Sequence, residues 1–304
     1  MTPANRDINS LATDLLNHRP ALRNEMEKGL YALLTTRLEK VAIDGEIYYV
    51  AEGDTLLDAD QLFVYAQQRE AFEKQKRAEI TANSAGLGMA RLIGVTSSGE
   101  RGLMGLVQEG RIVRWPPGFK LTYTVLKPTF TSAEHYDQVL AGMAAATKAW
   151  EEACGVDFEH LEDLDESPTV SPEGVLFTVR FLDAGGAFIA SAFFPNDPPA
   201  RRRVLIDPSF FSDELSFDTT GVLRHELGHV LGFRHEHIRT GAPPDCPDEE
   251  TTGTIDLTQY DPRSVMHYFC GELGSRTLEI TELDKVGAQK VYGMPLDSFE
   301  FASV

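Results

Sequence analysis

The chain has 304 residues, which is enough for roughly two domains of about 150 residues that each bury a hydrophobic core. Hydrophobic residues make up 42% and charged residues 25% of the chain, as in ordinary globular proteins, so wholesale disorder and fibrous repeats are excluded. The 28 Lys and Arg residues against 47 Asp and Glu residues give a net charge of −19. Such a field repels phosphate backbones, and nucleic acid is therefore not expected as a partner.

No part of the chain is predicted to cross a membrane, because no apolar run reaches the roughly 18 to 20 residues that a bilayer requires. The first ten residues are polar and lack the basic and apolar segments of a secretory signal, so a signal is either absent or already removed. The three cysteines, Cys154, Cys246 and Cys270, are too few for a disulfide framework but leave room for one bridge. The compartment and the oligomeric state stay open.

Residues 1–110 are predicted to form an N-terminal region that is mostly helical. Apolar residues between Leu15 and Leu34 recur at three- and four-residue spacing, which is typical of amphipathic helices. A short strand is expected at Glu46–Val50, and Asp60 is expected to cap a further helix. The pattern indicates a small separate unit.

Glycine marks the predicted boundary between two domains. Seven glycines fall between Gly86 and Gly110, too many for a helix interior and typical of a flexible connection. We therefore divide the chain into an N-terminal region, residues 1–110, and a second domain, residues 111–304.

The second domain is predicted to be α+β. A capping box at Thr131–Glu134 begins a helix whose apolar face, which ends at Trp150, is expected to pack on a sheet. Nine acidic residues between Glu151 and Glu173 predict a solvated acidic face, with a calcium site as the alternative. Near the C-terminus, Thr281 is expected to cap a helix that Gly293 ends. The predicted strands are Lys120–Leu126, Val175–Phe181, Ala187–Phe194 and Arg203–Ile206.

The chemistry is concentrated in one segment, where His225, Glu226, His229, Gly232 and His235 follow the pattern His-Glu-x-x-His-x-x-Gly-x-x-His. An α-helix advances 100° per residue, so His225 and His229 share a face one turn apart, where one metal ion can bridge them. Gly232 permits a left-handed conformation at the helix end, after which the chain can return to place His235 as the third ligand. A helix that binds nothing would explain the five-residue motif but not the extended pattern.

Three neutral imidazoles leave one open position on a tetrahedral Zn²⁺, which is the arrangement of a catalytic rather than a structural site. Zinc lowers the pKa of a water in that position to about 7, and Glu226 is placed to take its proton. The segment therefore predicts hydrolysis by a zinc-activated water with a glutamate general base.

A second motif, Ser264-Val265-Met266-His267-Tyr268, has the pattern of a methionine turn. With it the chain resembles the metzincin metallopeptidases, and Glu236 after the third histidine makes it most similar to the astacins. The resemblance implies an α+β, metzincin-like catalytic domain with a twisted, mostly parallel sheet, an antiparallel edge strand, an active-site helix and a Met-turn. It also implies a zinc endopeptidase that acts on a protein or peptide, and it favours secretion.

The resemblance further implies roles for individual residues. Met266 would form an apolar floor under the histidines, and Tyr268 would donate a hydrogen bond to the oxyanion during turnover. A packed core tyrosine is the alternative reading of Tyr268. In the family the counterpart of Glu236 contacts the mature amino terminus, and Arg239 is the alternative partner. Whether Cys246 and Cys270 form a bridge near the site is left open.

Ala51-Glu52-Gly53-Asp54 resembles the Phe-x-Gly-Asp element of astacin propeptides, in which the aspartate occupies the open zinc position. This resemblance makes Asp54 a candidate zymogen switch and the N-terminal region a candidate pro-domain. The alternative is that Gly53 and Asp54 form an ordinary turn after the strand.

Two other classes of function stay open. One is a non-catalytic zinc-binding or regulatory module, against which the presence of Glu226 argues. The other is a metal-dependent amidase acting on a small molecule, which a deep closed pocket would favour. For the endopeptidase, an extended substrate would add to an edge strand, and Ala187–Phe194 is the candidate.

Overall fold

The computed structural model describes residues 29–84, 103–238, 246, 253–270 and 272–296. The chain divides into two units, residues 1–98 and 99–304. In the part that the structure describes, no helix is both long and apolar enough to cross a membrane.

The first unit combines two helices with a small antiparallel sheet. Its elements are α1 (Leu30–Arg37), β1 (Lys40–Ile43), β2 (Glu46–Ala51), β3 (Thr55–Leu57) and α2 (Ala59–Ser84), with strand order β1-β2-β3. The predicted strand is present as β2, but a mostly helical region is not confirmed, because three strands lie between the helices. The predicted helical residues before position 29 lie outside the described residues.

Asp58, rather than Asp60, caps α2. The Asp58 carboxylate accepts from the backbone N–H of Gln61 at 2.7 Å, while the Gln61 side chain accepts from the Asp58 N–H at 3.2 Å. Two backbone donors at the helix start are thereby satisfied, as in a capping box. Asp60 lies in the first turn instead, where its charge is favourable near the helix N-terminus.

The second unit contains three α-helices and nine strands within the described residues. Its helices are α3 (Ala133–Ala153), α4 (Thr219–Val230) and α5 (Glu282–Tyr292). Its strands are β4 (Met104–Gln108), β5 (Arg111–Ile112), β6 (Lys120–Val125), β7 (Asp157–His160), β8 (Phe177–Phe181), β9 (Ala190–Ser191), β10 (Arg203–Ile206), β11 (Phe233–Arg234) and β12 (Thr254–Asp256). The predicted boundary near residue 110 falls inside this unit, because β4 pairs with β11 and β12.

A five-stranded sheet of order β7-β6-β8-β10-β9 forms the centre of the second unit. The first four strands are parallel, and only β9 at the edge is antiparallel, pairing Ala190 with Ile206 and Ser191 with Leu205. Every residue of β10 is buried, as expected for a strand with both faces covered. This mixed sheet fits the metzincin-like α+β fold expected from the sequence.

The antiparallel edge strand is much shorter than the predicted Ala187–Phe194. Its partner β10 ends at Ile206 and runs into a 3₁₀ helix, Pro208–Phe211, so the ladder has few residues to pair with. Beyond the ladder there is one more backbone hydrogen bond, in which the Asp207 N–H donates to the carbonyl of Ile189 at 3.1 Å. The regular strand is therefore limited to Ala190–Ser191.

Helix α3 packs mainly on α4 and also contacts β6 and β7, so its buried face serves both a helix and the sheet. Ser132, not Thr131, is its N-cap and accepts from the N–H of His135 at 3.1 Å. Where the helices cross, a Cβ on Gly142 would lie 2.7 Å from a methyl group of Leu223. A larger residue at position 142 would therefore force the Leu223 side chain to shift.

The acidic segment is not uniformly solvated. Asp165 is buried, and its carboxylate accepts hydrogen bonds from Thr124 Oγ1 at 2.6 Å, the Val125 N–H at 2.9 Å and the Tyr136 hydroxyl at 2.6 Å. In a fourth contact, His160 Nε2 lies 2.9 Å from the same carboxylate. A buried carboxylate is tolerated when donors surround it, and here it ties β6 to α3.

Candidate metal centre

Helix α4 positions the first two histidines of the motif. Asp218 begins the helix by accepting from the N–H of Gly221 at 2.6 Å, and the helix ends at Val230. Trp150 of α3 donates from Nε1 to the carbonyl of Arg224 at 2.9 Å, which ties the middle of α4 to α3. The helix that carries the chemistry is therefore held rigidly against the core.

Gly232 allows the chain to reverse after α4, as predicted. Its φ is +89°, in the left-handed region that glycine adopts without strain. A Cβ here would also lie only 2.6 Å from the carbonyl oxygen of Val113. The reversal leads through β11 and brings His235 back to the end of α4.

The structure brings His225, His229 and His235 into one buried cluster, in which each ring offers a nitrogen within 4.8 Å of the others. The ring centroids of His225 and His229 are 4.9 Å apart, and those of His229 and His235 are 4.8 Å apart. Nε2 of His229 lies 3.1 Å from Nε2 of His235. Ligands on a tetrahedral zinc with bonds of about 2.0 to 2.1 Å lie about 3.3 to 3.4 Å apart, so this edge has nearly the required length.

Backbone carbonyls orient two of these rings. Nδ1 of His225 lies 2.8 Å from the carbonyl oxygen of Val265, and Nδ1 of His229 lies 2.9 Å from that of Phe233. Because a carbonyl can only accept, each Nδ1 carries the proton, and Nε2 keeps the lone pair that a metal needs. Ligand histidines in metal sites are held in the same way, so these side chains fit zinc.

Glu226 follows His225 on α4 and is 3% exposed. A carboxylate is almost never buried to this degree without a partner or a function. Its position one residue after a candidate ligand brings a proton acceptor to the site.

Met266 packs against α4. A Cβ on Gly228 would lie 2.3 Å from its sulfur, so any larger residue there would force the methionine side chain to shift. Met266 itself is fully buried. The carbonyl of Met266 also accepts from the N–H of Glu236 at 2.8 Å, which links this turn to the residue after the third histidine.

Asp284 of α5 holds the methionine turn in place, and sequence reasoning assigned it no such role. Its buried carboxylate accepts from Ser264 Oγ at 2.6 Å and from the Val265 N–H at 2.9 Å. It also accepts from the Thr281 N–H at 3.0 Å and so completes the capping box of α5. Burial raises the pKa of this carboxyl, although the three donors oppose the shift. The capping of α5 could be predicted from the sequence, but the hydrogen bonds from Ser264 and Val265 to Asp284 could not.

Tyr268 lies beside the histidine cluster rather than in a separate core. Its ring centroid is 4.4 Å from that of His235, 5.6 Å from that of His225 and 4.6 Å from that of His237. His237 is buried and stacks on Tyr268, and its Nδ1 lies 3.4 Å from the Tyr268 N–H. His237 was not predicted to contribute to the site, and only its position two residues after His235 signals it.

Glu236 is buried, and its carboxylate accepts from the N–H of Asp261 at 2.9 Å. Arg239, the alternative partner, lies outside the described residues. Cys246 and Cys270 form a disulfide, which answers the question that the sequence left open. Cys154 is a buried free thiol on the helix side of the core.

Asp54 belongs to the first unit, where Glu52, Gly53 and Asp54 connect β2 to β3. Glu52 has φ +54° and Gly53 has φ +86°, so the plain turn considered from the sequence is present. A turn of this kind is compatible with either role of Asp54.

The sheet, helix α4 and the clustered histidines fit the arrangement expected of a metzincin-type zinc metallopeptidase. Among family models, that of the matrixins matches residues 114–242. The match includes the whole histidine motif but less than half of the chain, and it ends before the methionine turn. A specific similarity to astacins is not confirmed. No curated protein matches the chain in a sequence search.

Proposed function

We propose that the chain is a zinc endopeptidase in which Glu226 is the general base. The observation that carries the proposal is the cluster of three buried imidazoles. In two of them, His225 and His229, Nδ1 donates a hydrogen bond to a backbone carbonyl, which leaves Nε2 for the metal. Zinc held by His225, His229 and His235 would supply Lewis acidity, which acidifies water and polarises a carbonyl group. The matrixin match supports the same class of reaction.

Glu226 would move the protons of the reaction. As a buried carboxylate next to the first ligand, it is placed to accept a proton from the attacking water and to pass it to the leaving amine. Helix α4 is held by Trp150 and capped by Asp218. The Glu226 backbone is therefore already ordered before the reaction, and little conformational entropy is lost on reaching the transition state.

Tyr268 would donate a hydrogen bond to the oxyanion, as the astacin resemblance implies. The support is the placement of its ring beside His225 and His235. Its stacking on His237 keeps that placement without using the hydroxyl group. A donor aimed at developing charge in a water-excluded site stabilises the transition state more than the ground state.

Strand β9 is our candidate for binding an extended protein or peptide substrate, because it is the antiparallel edge of the main sheet. The Asp207 carboxylate accepts from the N–H groups of Ala184 at 2.8 Å and Gly186 at 3.3 Å, which shapes the loop leading into β9. Beyond β9, the ring of Phe194 lies 5.2 Å from that of His229. The segment that follows the edge strand thus lies next to the histidine cluster.

We further propose that the first unit, residues 1–98, forms a pro-domain in which Asp54 is the inhibitory switch. The support is the resemblance of Ala51-Glu52-Gly53-Asp54 to the astacin propeptide element. The hairpin between β2 and β3 presents Asp54 at a tight connection.

Metal analysis of the full-length chain tests the site on which the function rests. We expect one zinc per chain in wild type and a large loss in His229→Ala, while His135→Ala, a partly buried histidine on α3 outside the cluster, retains it. A zinc content that is the same in both variants would contradict the proposed site.

A further inference from the structure

A second group of metal-binding side chains lies apart from the three-histidine cluster. Cys246, His267 and Cys270 each offer a ligand atom, and these atoms lie within 4.8 Å of one another. The two cysteines are joined as a disulfide, with Cα atoms 5.0 Å apart. None of the three residues takes part in the proposed hydrolysis.

Two of the three ligand groups converge on one oxygen atom. Nδ1 of His267 donates to the carbonyl oxygen of Tyr268, and Sγ of Cys270 lies 3.5 Å from the same oxygen. The site is therefore built around a backbone carbonyl that could itself complete a coordination sphere.

The backbone that carries His267 and Cys270 is anchored independently of the disulfide. Cys270 and Leu273 exchange two backbone hydrogen bonds of 3.0 Å. The N–H of His267 donates to the carbonyl of Ser264 at 3.0 Å, and the Tyr260 hydroxyl lies 2.7 Å from His267 Nε2. His267 and Cys270 consequently have reasons to stay close when the sulfur–sulfur bond is broken.

We propose that the reduced protein binds a thiophilic divalent cation, of the Zn²⁺ or Cd²⁺ type, through Cys246, Cys270 and His267. Two thiolates and an imidazole form a donor set that such ions prefer, and the Tyr268 carbonyl or a water completes four ligands. Ligand sulfurs on a tetrahedral zinc lie about 3.8 Å apart, so the side chains need only rotate apart after reduction.

The redox step balances with a dithiol as reductant. The dithiol gives two electrons and two protons, the Cys246–Cys270 bond breaks to two thiols, and the reductant becomes a disulfide. Binding of the divalent cation then releases the two thiol protons to solvent. Tyr268 lies between His267 and Cys270 in the sequence. The segment that carries Tyr268 is therefore held by the disulfide in the oxidised protein and by the bound cation in the reduced protein.

Cadmium titration of the full-length, zinc-loaded protein tests the proposal. The protein is reduced with a phosphine, since this reductant lacks thiols that bind the metal, and thiolate-to-cadmium charge-transfer absorbance is recorded. Circular dichroism follows the fold throughout. The three histidines carry no sulfur and give no such band, so the result does not depend on whether the chain hydrolyses peptides.

We expect one additional cadmium per chain and a charge-transfer band in reduced wild type, and neither in the oxidised protein. Cys246→Ser should abolish both, Cys154→Ser should leave both unchanged, and His267→Asn should weaken binding about tenfold or more. A reduced, folded protein without the band would overturn the proposal. So would a band that survives in Cys246→Ser, unchanged affinity in His267→Asn, or unfolding upon reduction.

Discussion

The buried carboxylate of Asp284 accepts a hydrogen bond from the backbone N–H of Val265, 2.9 Å away. The carbonyl of the same Val265 lies 2.8 Å from Nδ1 of His225. The backbone of a single residue, Val265, thus connects the start of α5 to the first candidate zinc ligand. Asp284 is a positioning residue for the metal centre, although it lies far from His225 in sequence.

Asp284→Asn is therefore expected to weaken both the fold and the metal site. The amide can accept fewer of the three hydrogen bonds, which lowers the free energy of unfolding by about 2 kcal/mol. Urea denaturation measures this loss, and competition with a chelator measures zinc affinity, which should fall about tenfold. Glu282→Gln is the matched control, because its side chain on the same helix is 86% exposed. Unchanged zinc affinity in Asp284→Asn would show that the contact with Val265 does not help to position His225.

Much of this site follows from sequence pattern because its signals are local. The spacing of His225 and His229, the left-handed Gly232 and the cap Thr281 each depend on neighbours within a few residues. The contact between Asp284 and Val265 instead depends on how α5 packs against the methionine turn, which no local pattern encodes. Asp165 was misread for the same reason, since its donors come from separate elements of the fold.

Tyr268→Phe removes the hydroxyl but keeps the ring that stacks on His237. We expect kcat for a fluorogenic peptide to fall about 100-fold with little change in KM, because the lost hydrogen bond forms only in the transition state. Zinc content and the melting temperature serve as controls and should stay at wild-type values. A kcat that remains at the wild-type level would show that the Tyr268 hydroxyl does not act in catalysis and that the side chain only packs.

Asp54→Ala tests the proposed switch in the first unit. If the carboxylate blocks the open metal position, the full-length variant should hydrolyse peptides without prior cleavage, while the wild type needs cleavage first. Asp44→Ala is the control, because Asp44 lies in the other hairpin turn of the same sheet. Equal activity of the wild type and Asp54→Ala, before cleavage, would rule the switch out.

Cys154 makes the stability of the fold depend on alkaline pH. Burial raises the pKa of its thiol from 9.0 to about 12. A raised pKa favours folding while the thiol is protonated, so this stabilisation is complete below pH 9 and is lost as pH rises towards 12. Between pH 8 and pH 10, the wild type should lose about 1 kcal/mol more unfolding free energy than Cys154→Ala. Parallel losses in the two proteins would mean that the thiol ionises freely in the folded state.

The most direct test of the account compares the zinc-loaded wild type with Glu226→Gln in hydrolysis of a protein substrate, each with its metal content measured. Glu214→Gln, an exposed residue outside the site, is the control. We predict that Glu226→Gln keeps one zinc per chain but loses cleavage by at least about 100-fold, because general base catalysis contributes that much. Cleavage by Glu226→Gln at the wild-type rate, with zinc fully bound, would contradict the central claim.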